Sequence, residues 1–491
     1  MADALPPSKK QQRKQEKARW LAERKAAQLA EGNSSSKRKR RNQRQNRASA
    51  SGPPSAAVHY QTCTSTTCDN RLAGSDCVVR CIEPYVHRFA LFVKGRWASR
   101  TLRELFASEF PTLSTAYCVR AAQLGLIRVN GVAADLDTVI KGGDFFEHLK
   151  HRHEPSVHFP VEDEVNLSSM TALSTTWIHL ETDELVVVDK PSGIPVHPTG
   201  SYQLNSLTHM LQHDRRDSRR EAATDGEADK LELFPVHRLD RLTSGLLIFA
   251  KSTDKARSLT TELTATSSVG GAGSRSVEKY YVARVKGEFP DEGAGFANVV
   301  GLSSGLVKVE SARDGYWRVD APIGLTSPRQ GHLRCVIDAA DSKPCVTLMR
   351  RRGKSVGGES VVECQLVTGR THQIRVHLQH LGFPIVNDPL YGPVSDTKSS
   401  PEQSLSKATE QSAGGAVTTA TGSDDQHGDD EQRCTAVCDV CLSERAGALA
   451  IEEEDTVLWL HSYRYESPNW SFAVPLPHWS ILNESTCSHR S

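Results

Sequence analysis

His237-Arg238-Leu239-Asp240-Arg241-Leu242-Thr243-Ser244-Gly245 runs without a break into Leu246-Leu247-Ile248-Phe249-Ala250-Lys251. One acidic side chain, Asp240, therefore stands on a polar turn that feeds straight into an apolar strand. Thr243-Ser244-Gly245 supplies hydroxyl and backbone donors at the end of that turn, and a buried strand behind it holds the turn against a core. Taken alone, such an aspartate is most often an Asx turn that accepts its own loop's N–H groups.

Outward from this stretch, three further blocks carry polar residues on predicted elements. Leu185-Val186-Val187-Val188-Asp189 is a continuous apolar run that predicts a strand buried on both faces. It enters the stiff loop Lys190-Pro191-Ser192-Gly193-Ile194-Pro195, whose Lys190 is either a contact for a polyanion or a surface charge. Glu278-Lys279-Tyr280-Tyr281-Val282-Ala283-Arg284-Val285 alternates as a strand, which puts Lys279 and Tyr281 on one face and Tyr280 on the other. Gln365 to His377 joins a strand through Thr368-Gly369 to a helix, where Arg370, His372, Gln373 and Arg375 present polar groups near the junction.

Together, His237–Gly245, Asp189-Lys190-Pro191-x-Gly193, Lys279-x-Tyr281 and Gly369-Arg370-Thr371-His372-Gln373-Ile374-Arg375 resemble the RluA-type pseudouridine synthases. The resemblance covers roughly Leu180 to Trp479 apart from insertions. It implies an α+β fold with a mixed, mainly antiparallel sheet and a central RNA-binding cleft. The implied reaction is isomerisation of uridine in RNA: N1–C1′ is cleaved, the uracil turns, and the sugar is rejoined through C5. No group is lost and no oxidation state changes, so neither a metal nor an organic cofactor is expected.

By the same resemblance Asp240 is the nucleophile, and Tyr281 stacks on the uracil and moves a proton, with Tyr280 its substitute were the register shifted by one. Arg370 is the basic partner that keeps Asp240 ionised, a guanidinium forked onto a carboxylate in a dry site. Arg238 fills the space left by the extruded base. Lys190, His237, Thr243, His372, Gln373 and Arg375 are the remaining candidates for RNA contact. Where the family usually carries Gly this chain has Asn387, a residue that tolerates positive φ, and the turn is expected to survive. A non-catalytic RNA-binding or RNA-folding protein on the same fold is the alternative.

Before the catalytic body, Leu102, Leu105, Phe106 and Phe110 fall at helical spacing, Thr115 to Leu124 offers a second helix, and Asn130-Gly131 predicts a hairpin turn. Two short helices and a basic hairpin resemble an S4-type RNA-binding module over residues 85–158, which implies Arg120 and Arg128 near phosphates. The string His151-Arg152-His153-Glu154-Pro155 after such a module resembles the eukaryotic branch of the family that modifies tRNA. As metal ligands His151 and His153 have no further ligand nearby, and they are read as a linker. Residues 175–480 are the expected catalytic domain, with disordered insertions near 213–230, 264–276 and 394–432. After the last of these, Cys434-x-x-x-Cys438-x-x-Cys441 offers three thiols but no certain fourth ligand, and no zinc is expected.

Composition sets the outer bounds. The 491 residues are 38% hydrophobic and 24% charged, and no apolar run approaches the roughly 20 residues of a membrane span, so a soluble chain is expected. Its net charge of +1 hides an asymmetry: residues 1–50 hold 15 Lys/Arg against four acids, an excess of +11 that leaves the remainder at −10. Residues 1–84 are accordingly read as a basic disordered tail, with Lys37-Arg38-Lys39-Arg40-Arg41 as a nuclear address. Nucleus and/or cytoplasm are the expected compartments. The Arg-rich start also admits a mitochondrial one, although its acids count against a presequence. Twelve cysteines without a signal peptide read as reduced thiols.

Overall fold

A computed structural model of the chain describes residues 56–62, 76–111, 113–161, 173–222, 232–264, 266–267, 274–275, 277–291, 306–326, 333–392, 426–445 and 457–482. The basic run at 37–41 lies outside them. The described chain forms two compact units.

One unit comprises Val86–His151 with Asp425–Leu442. Helix Leu102–Glu109 starts on a capping box in which Thr101 and Glu104 bond each other's backbone N–H. Helix Thr115–Gln123 starts on Ser114, whose hydroxyl accepts from the Tyr117 N–H. Leu102, Leu105 and Phe106 pack with Tyr117, Cys118 and Ala121 over a four-stranded sheet ordered Tyr85–Phe92, Phe145–Arg152, Ile127–Val129, Val132–Ala133. The hairpin turns at Asn130 and Gly131, both at positive φ, as an Asn-Gly turn requires.

A helix from far downstream completes this core. Gln426–Thr435 lies in the stretch read as the third insertion, yet Cys434 and Val437 are buried among Leu105, Phe106 and Tyr117. Arg128, expected on phosphate, instead donates to Asp430 of that helix at 2.9 Å and to the Gly125 carbonyl. Arg120 is exposed and makes no ion pair among the described residues.

The other unit is built on an eleven-stranded sheet. Its order is Lys308–Ser311, Trp317–Asp320, Val346–Val356, Glu359–Leu366, Glu278–Lys286, Leu460–Ser467, Ser244–Ala250, Leu185–Lys190, Ile178–Glu181, with Phe234–Pro235 added to Ser244–Ala250 and Trp470–Ala473 to Leu460–Ser467. Pairing is antiparallel except between Ser244–Ala250 and Leu460–Ser467, so the sheet is mixed and mainly antiparallel. Val186–Val188 and Leu246–Ala250 are fully buried, as continuous apolar runs dictate. Leu207, Met210, Leu211, Leu259, Leu263, Ile374 and Leu378 from three helices join the same core.

Several stretches expected to lack structure have it. Val58–Thr62, Asp76–Ile82 and Val157–Val161 form a three-stranded sheet, although the first two lie in the supposed tail. The short apolar run Cys77-Val78-Val79 was masked by the polar composition around it, and it is buried. Helix Leu207–Ala222 runs through the start of the first insertion, where Asp214 accepts from Ser174 and Arg215 pairs with Glu181. The second insertion holds a small hairpin, Thr266–Ser267 with Ser274–Arg275. Among the described residues no helix is long and apolar enough to cross a membrane.

Candidate active site

Asp240 sits on a turn closed by the Thr243 N–H donating to the Asp240 carbonyl at 3.1 Å. The loop after strand Leu185–Lys190 clamps that turn from the side. Gly193 N–H donates to the Arg241 carbonyl at 3.0 Å, and the Ser192 hydroxyl to the Leu242 carbonyl at 2.5 Å. Lys190 belongs to this clamp and not to a polyanion-binding surface. Its ammonium is fully buried and donates to the carbonyls of Pro191, Ile194 and Arg241 at 2.8, 2.8 and 3.0 Å. Burial pushes its pKa down to about 7, helped by the Arg241 charge and opposed by Asp240.

Gly245 closes the turn onto the sheet. Its φ of +106° is a glycine conformation, and a Cβ there would overlap the Ser462 carbonyl of the neighbouring strand. This is why the nine-residue stretch ends in glycine before an apolar strand.

The groups facing the Asp240 carboxylate come from helix Gln373–His380 and the residue before it. His372 Nε2 is 3.7 Å and Arg375 Nη1 3.8 Å from Asp240 Oδ2. His372 holds a left-handed backbone, φ 58°, at the helix start. Tyr391 Oη accepts the Arg334 N–H at 3.0 Å and lies 2.8 Å from His372 Nδ1. With the Tyr391 hydroxyl as donor to Nδ1, the proton of a neutral imidazole stands on Nε2, toward Asp240. Burial lowers the His372 pKa below its ordinary value, against the pull of Asp240, so the ring is neutral at pH 7.

Arg375 is buried and forks onto Asp388, Nε to Oδ2 and Nη2 to Oδ1, each at 2.6 Å. Its guanidinium lies over the Tyr391 ring, 4.9 Å from the centroid. Asp388 also accepts the N–H groups of Leu390 and Tyr391, so the loop after the helix is tied to the same cation.

The sequence expectation that Arg370 pairs with Asp240 is not met. Arg370 is exposed, makes no ion pair with Asp240, and lies against the Cys345 thiol. It precedes the left-handed residue that opens the helix, whereas His372 and Arg375, three apart, share the helix face toward Asp240. Arg375 and Gln373, expected on RNA, are both buried. Gln373 donates to Val346 O and Thr347 Oγ1 and accepts from the Arg370 N–H and Thr368 hydroxyl, which pins the strand-to-helix junction.

A second set of residues carries Tyr281. Its Oη lies 2.9 Å from that of Tyr465, and Tyr465 Oη is 3.5 Å from His237 Nδ1. The Ile248 N–H donates to His237 Nε2 at 3.2 Å, so the ring proton is on Nδ1, toward Tyr465. Burial holds the His237 pKa well below the usual range, with the Lys279 charge adding to it. His237 is therefore a neutral hinge between the Asp240 turn and the two phenols, not an open RNA contact. Tyr280 points to the other face and donates to Glu278 at 2.5 Å. Thr243 is buried in the turn, while Arg238 is exposed two residues before Asp240.

Tyr465, Tyr391 and Asp388 had no expected role. Tyr465 lies on a strand whose alternation was legible, but its partner lies on a strand remote in sequence. Asn387 keeps its turn without positive φ: its amide donates to Val457 O and accepts from the Trp459 N–H.

A further cluster lies outside this site. The reading of His151-x-His153 as a linker with no ligand nearby is overturned: the ligand-capable atoms of His151, His153, Cys438 and Cys441 all lie within 4.8 Å of one another.

A carboxylate on a rigid turn, faced by an imidazole and a buried guanidinium, with a phenol pair joined to the same turn through His237, suits nucleophilic chemistry with proton transfer. Residues 184–380 match the family model described as RNA pseudouridylate synthase. The chain is 32% identical over 420 residues to RNA pseudouridine synthase 7 of Oryza sativa subsp. japonica, covering 82% of this chain and 91% of that one. Against the mitochondrial tRNA pseudouridine(32) synthase of Saccharomyces cerevisiae it is 32% identical, over 82% of this chain and 77% of the other. Identity with tRNA pseudouridine(31) synthase of the same yeast is 31%, over 83% and 96%. The chain belongs to the RNA pseudouridylate synthase family. It is an RNA pseudouridine synthase, an isomerase that acts on RNA.

Proposed function

We propose that this enzyme isomerises uridine to pseudouridine in tRNA, with Asp240 as its nucleophile. The observation that carries the reading is the convergence on one turn: Asp240 faces His372 Nε2 and Arg375, while His237, three residues earlier, links that turn through Tyr465 to Tyr281. Two of the relatives named above act on tRNA by name, which supports that substrate class.

In this reading the N1–C1′ bond breaks with its electron pair going to the uracil, and the Asp240 carboxylate bonds C1′ of the sugar. The freed ring turns and C5 attacks C1′, displacing Asp240 as the free carboxylate. The C5 proton then leaves and N1 gains one, which balances the isomerisation. Tyr281 is the residue for stacking and C5 proton transfer, oriented by the Tyr465 and His237 bonds. Arg375 is a positioning residue whose guanidinium, 3.8 Å from Asp240 Oδ2, holds the carboxylate in place. Exposed Arg238 occupies the space vacated by the extruded base. Residues 86–151 act as an S4-like RNA-binding module with Arg120 near phosphate, and the run at 37–41 directs the chain to the nucleus.

Incubating uridine-containing tRNA with wild type and Asp240→Asn tests the assignment. Wild type forms pseudouridine and the variant forms none; equal amounts in both reactions would sink it.

A further inference from the structure

Three thiol or imidazole groups of one compact unit, none of them part of the Asp240 site, lie together. His151 is the next-to-last residue of strand Phe145–Arg152. Cys438 occupies the turn between helices Gln426–Thr435 and Asp439–Arg445, and Cys441 the first turn of the second. All three are buried, and Cys441 Sγ lies 3.2 Å from His151 Nδ1. His153 is joined to His151 by two peptide bonds and brings a fourth donor into the same 4.8 Å sphere.

This set has the composition and size of a closed zinc site. Zinc bonds imidazole at about 2.0–2.1 Å and thiolate at about 2.3 Å, so its tetrahedral donors stand about 3.3–3.8 Å apart. The outer separation here exceeds that by about 1 Å, within reach of small side-chain rotations. Two thiolates with two imidazoles select zinc over magnesium or calcium, and four protein ligands leave no open position for catalysis. None of the nine described cysteines forms a disulfide.

A structural need for the ion is also visible. The helices of 10 and 7 residues are too short to be stable alone, and the first begins inside the stretch read as an insertion. Yet Cys434 and Val437 must sit in the hydrophobic core of the unit. We propose that His151, His153, Cys438 and Cys441 bind one zinc ion that fastens this helical pair to the 145–152 strand. The ion is structural and takes no part in the isomerisation.

Elemental analysis of the full chain, purified after zinc-replete expression, tests this. The expected result is one zinc per chain in wild type and none in Cys438→Ser/Cys441→Ser, with His151→Asn and His153→Asn each weakening affinity by at least roughly tenfold. Should the double variant fail to fold, chelator-stripped wild type is titrated with cobalt(II). Thiolate charge-transfer absorption with intense tetrahedral visible bands, saturating at one cobalt per chain and displaced by zinc, supports the site. Wild type without zinc and without that cobalt spectrum overturns the proposal. So does a folded double variant that keeps its zinc, or a Cys438–Cys441 disulfide in the isolated chain.

Discussion

The buried guanidinium of Arg375 offers the sharpest test of the electrostatics. Removing it alone leaves Asp388, buried and ionised, without its partner, a change that costs about 3–5 kcal/mol and invites unfolding. Arg375→Met/Asp388→Asn removes both charges, and the Asn side-chain carbonyl still accepts the N–H groups now bonded to Asp388 Oδ1. What Asp240 loses is a cation 3.8 Å from its Oδ2. At that separation, and at an effective dielectric constant of about 20, the attraction is roughly 4 kcal/mol. The Asp240 side chain is 26% exposed, so solvent screening brings the loss to about 2 kcal/mol. At 1.36 kcal/mol per factor of ten, losing that hold on the carboxylate lowers kcat/KM by about thirtyfold.

The assay is release of tritium from tRNA labelled at uridine C5, since that hydrogen is lost as C5 bonds C1′. The single variant Asp388→Asn is the control: it keeps Arg375 beside Asp240, and its kcat/KM stays close to that of wild type. Circular dichroism establishes that both variants are folded. A folded double variant whose kcat/KM matches that of wild type refutes the role given to Arg375.

Gly245→Ala forces a side chain into the Ser462 carbonyl at positive φ, and chemical denaturation should show a loss of about 3 kcal/mol or more; a change within about 0.5 kcal/mol removes the argument from close approach. Lys190→Met strips the ammonium from three carbonyls and is expected to cost about 2–3 kcal/mol and to lower kcat through a loosened Asp240 turn, read by denaturation and single-turnover rates. Tyr465→Phe removes the hydroxyl between Tyr281 and His237, so it should lower kcat with little change in the KM for tRNA; an unchanged kcat would remove Tyr465 from the proton path. His377 and His461 are buried neutral, and burial holds both pKa values at about 4 against an ordinary 6.5. The unfolded chain binds the more protons between those values, so stability falls as pH drops from 6.5 towards 4, by up to about 3 kcal/mol per ring, and denaturation midpoints across that window should show it.

What could be read from the sequence was local. An acid on a polar turn before Leu246–Ala250, a run of β-branched residues ahead of Lys190, and alternation through Tyr281 each reflect forces acting within ten residues, and each element is there. The choice between Arg370 and Arg375 was not local. Both are arginines beside one strand-to-helix junction, and the left-handed φ of His372 decides which of them turns toward Asp240. That conformation is held by Tyr391, 19 residues further on. Likewise His151 and Cys441 are 290 residues apart, so no window of sequence contains both halves of the thiol and imidazole cluster.

Strand register joins these remote pieces. Ser244 pairs with His461 and Gly245 with Ser462 in the one parallel ladder among the described strands, which lays the strand of Tyr465 beside that of Ile248. The Ile248 N–H is bonded to His237, because Phe234–Pro235 folds back antiparallel on Phe249 and Ala250. The His237 contact with Tyr465 therefore follows from two ladders and requires no separate interaction to set it. On the far side, Tyr281 pairs with Ser462 just past an irregularity in the ladder, and its ring turns toward Tyr465. A slip of one residue in either ladder would send these side chains to opposite faces of the sheet. The parallel ladder forms only because position 245 has no Cβ. The glycine that ends the opening stretch thus decides whether the Asp240 turn and the phenols of two other strands share one site.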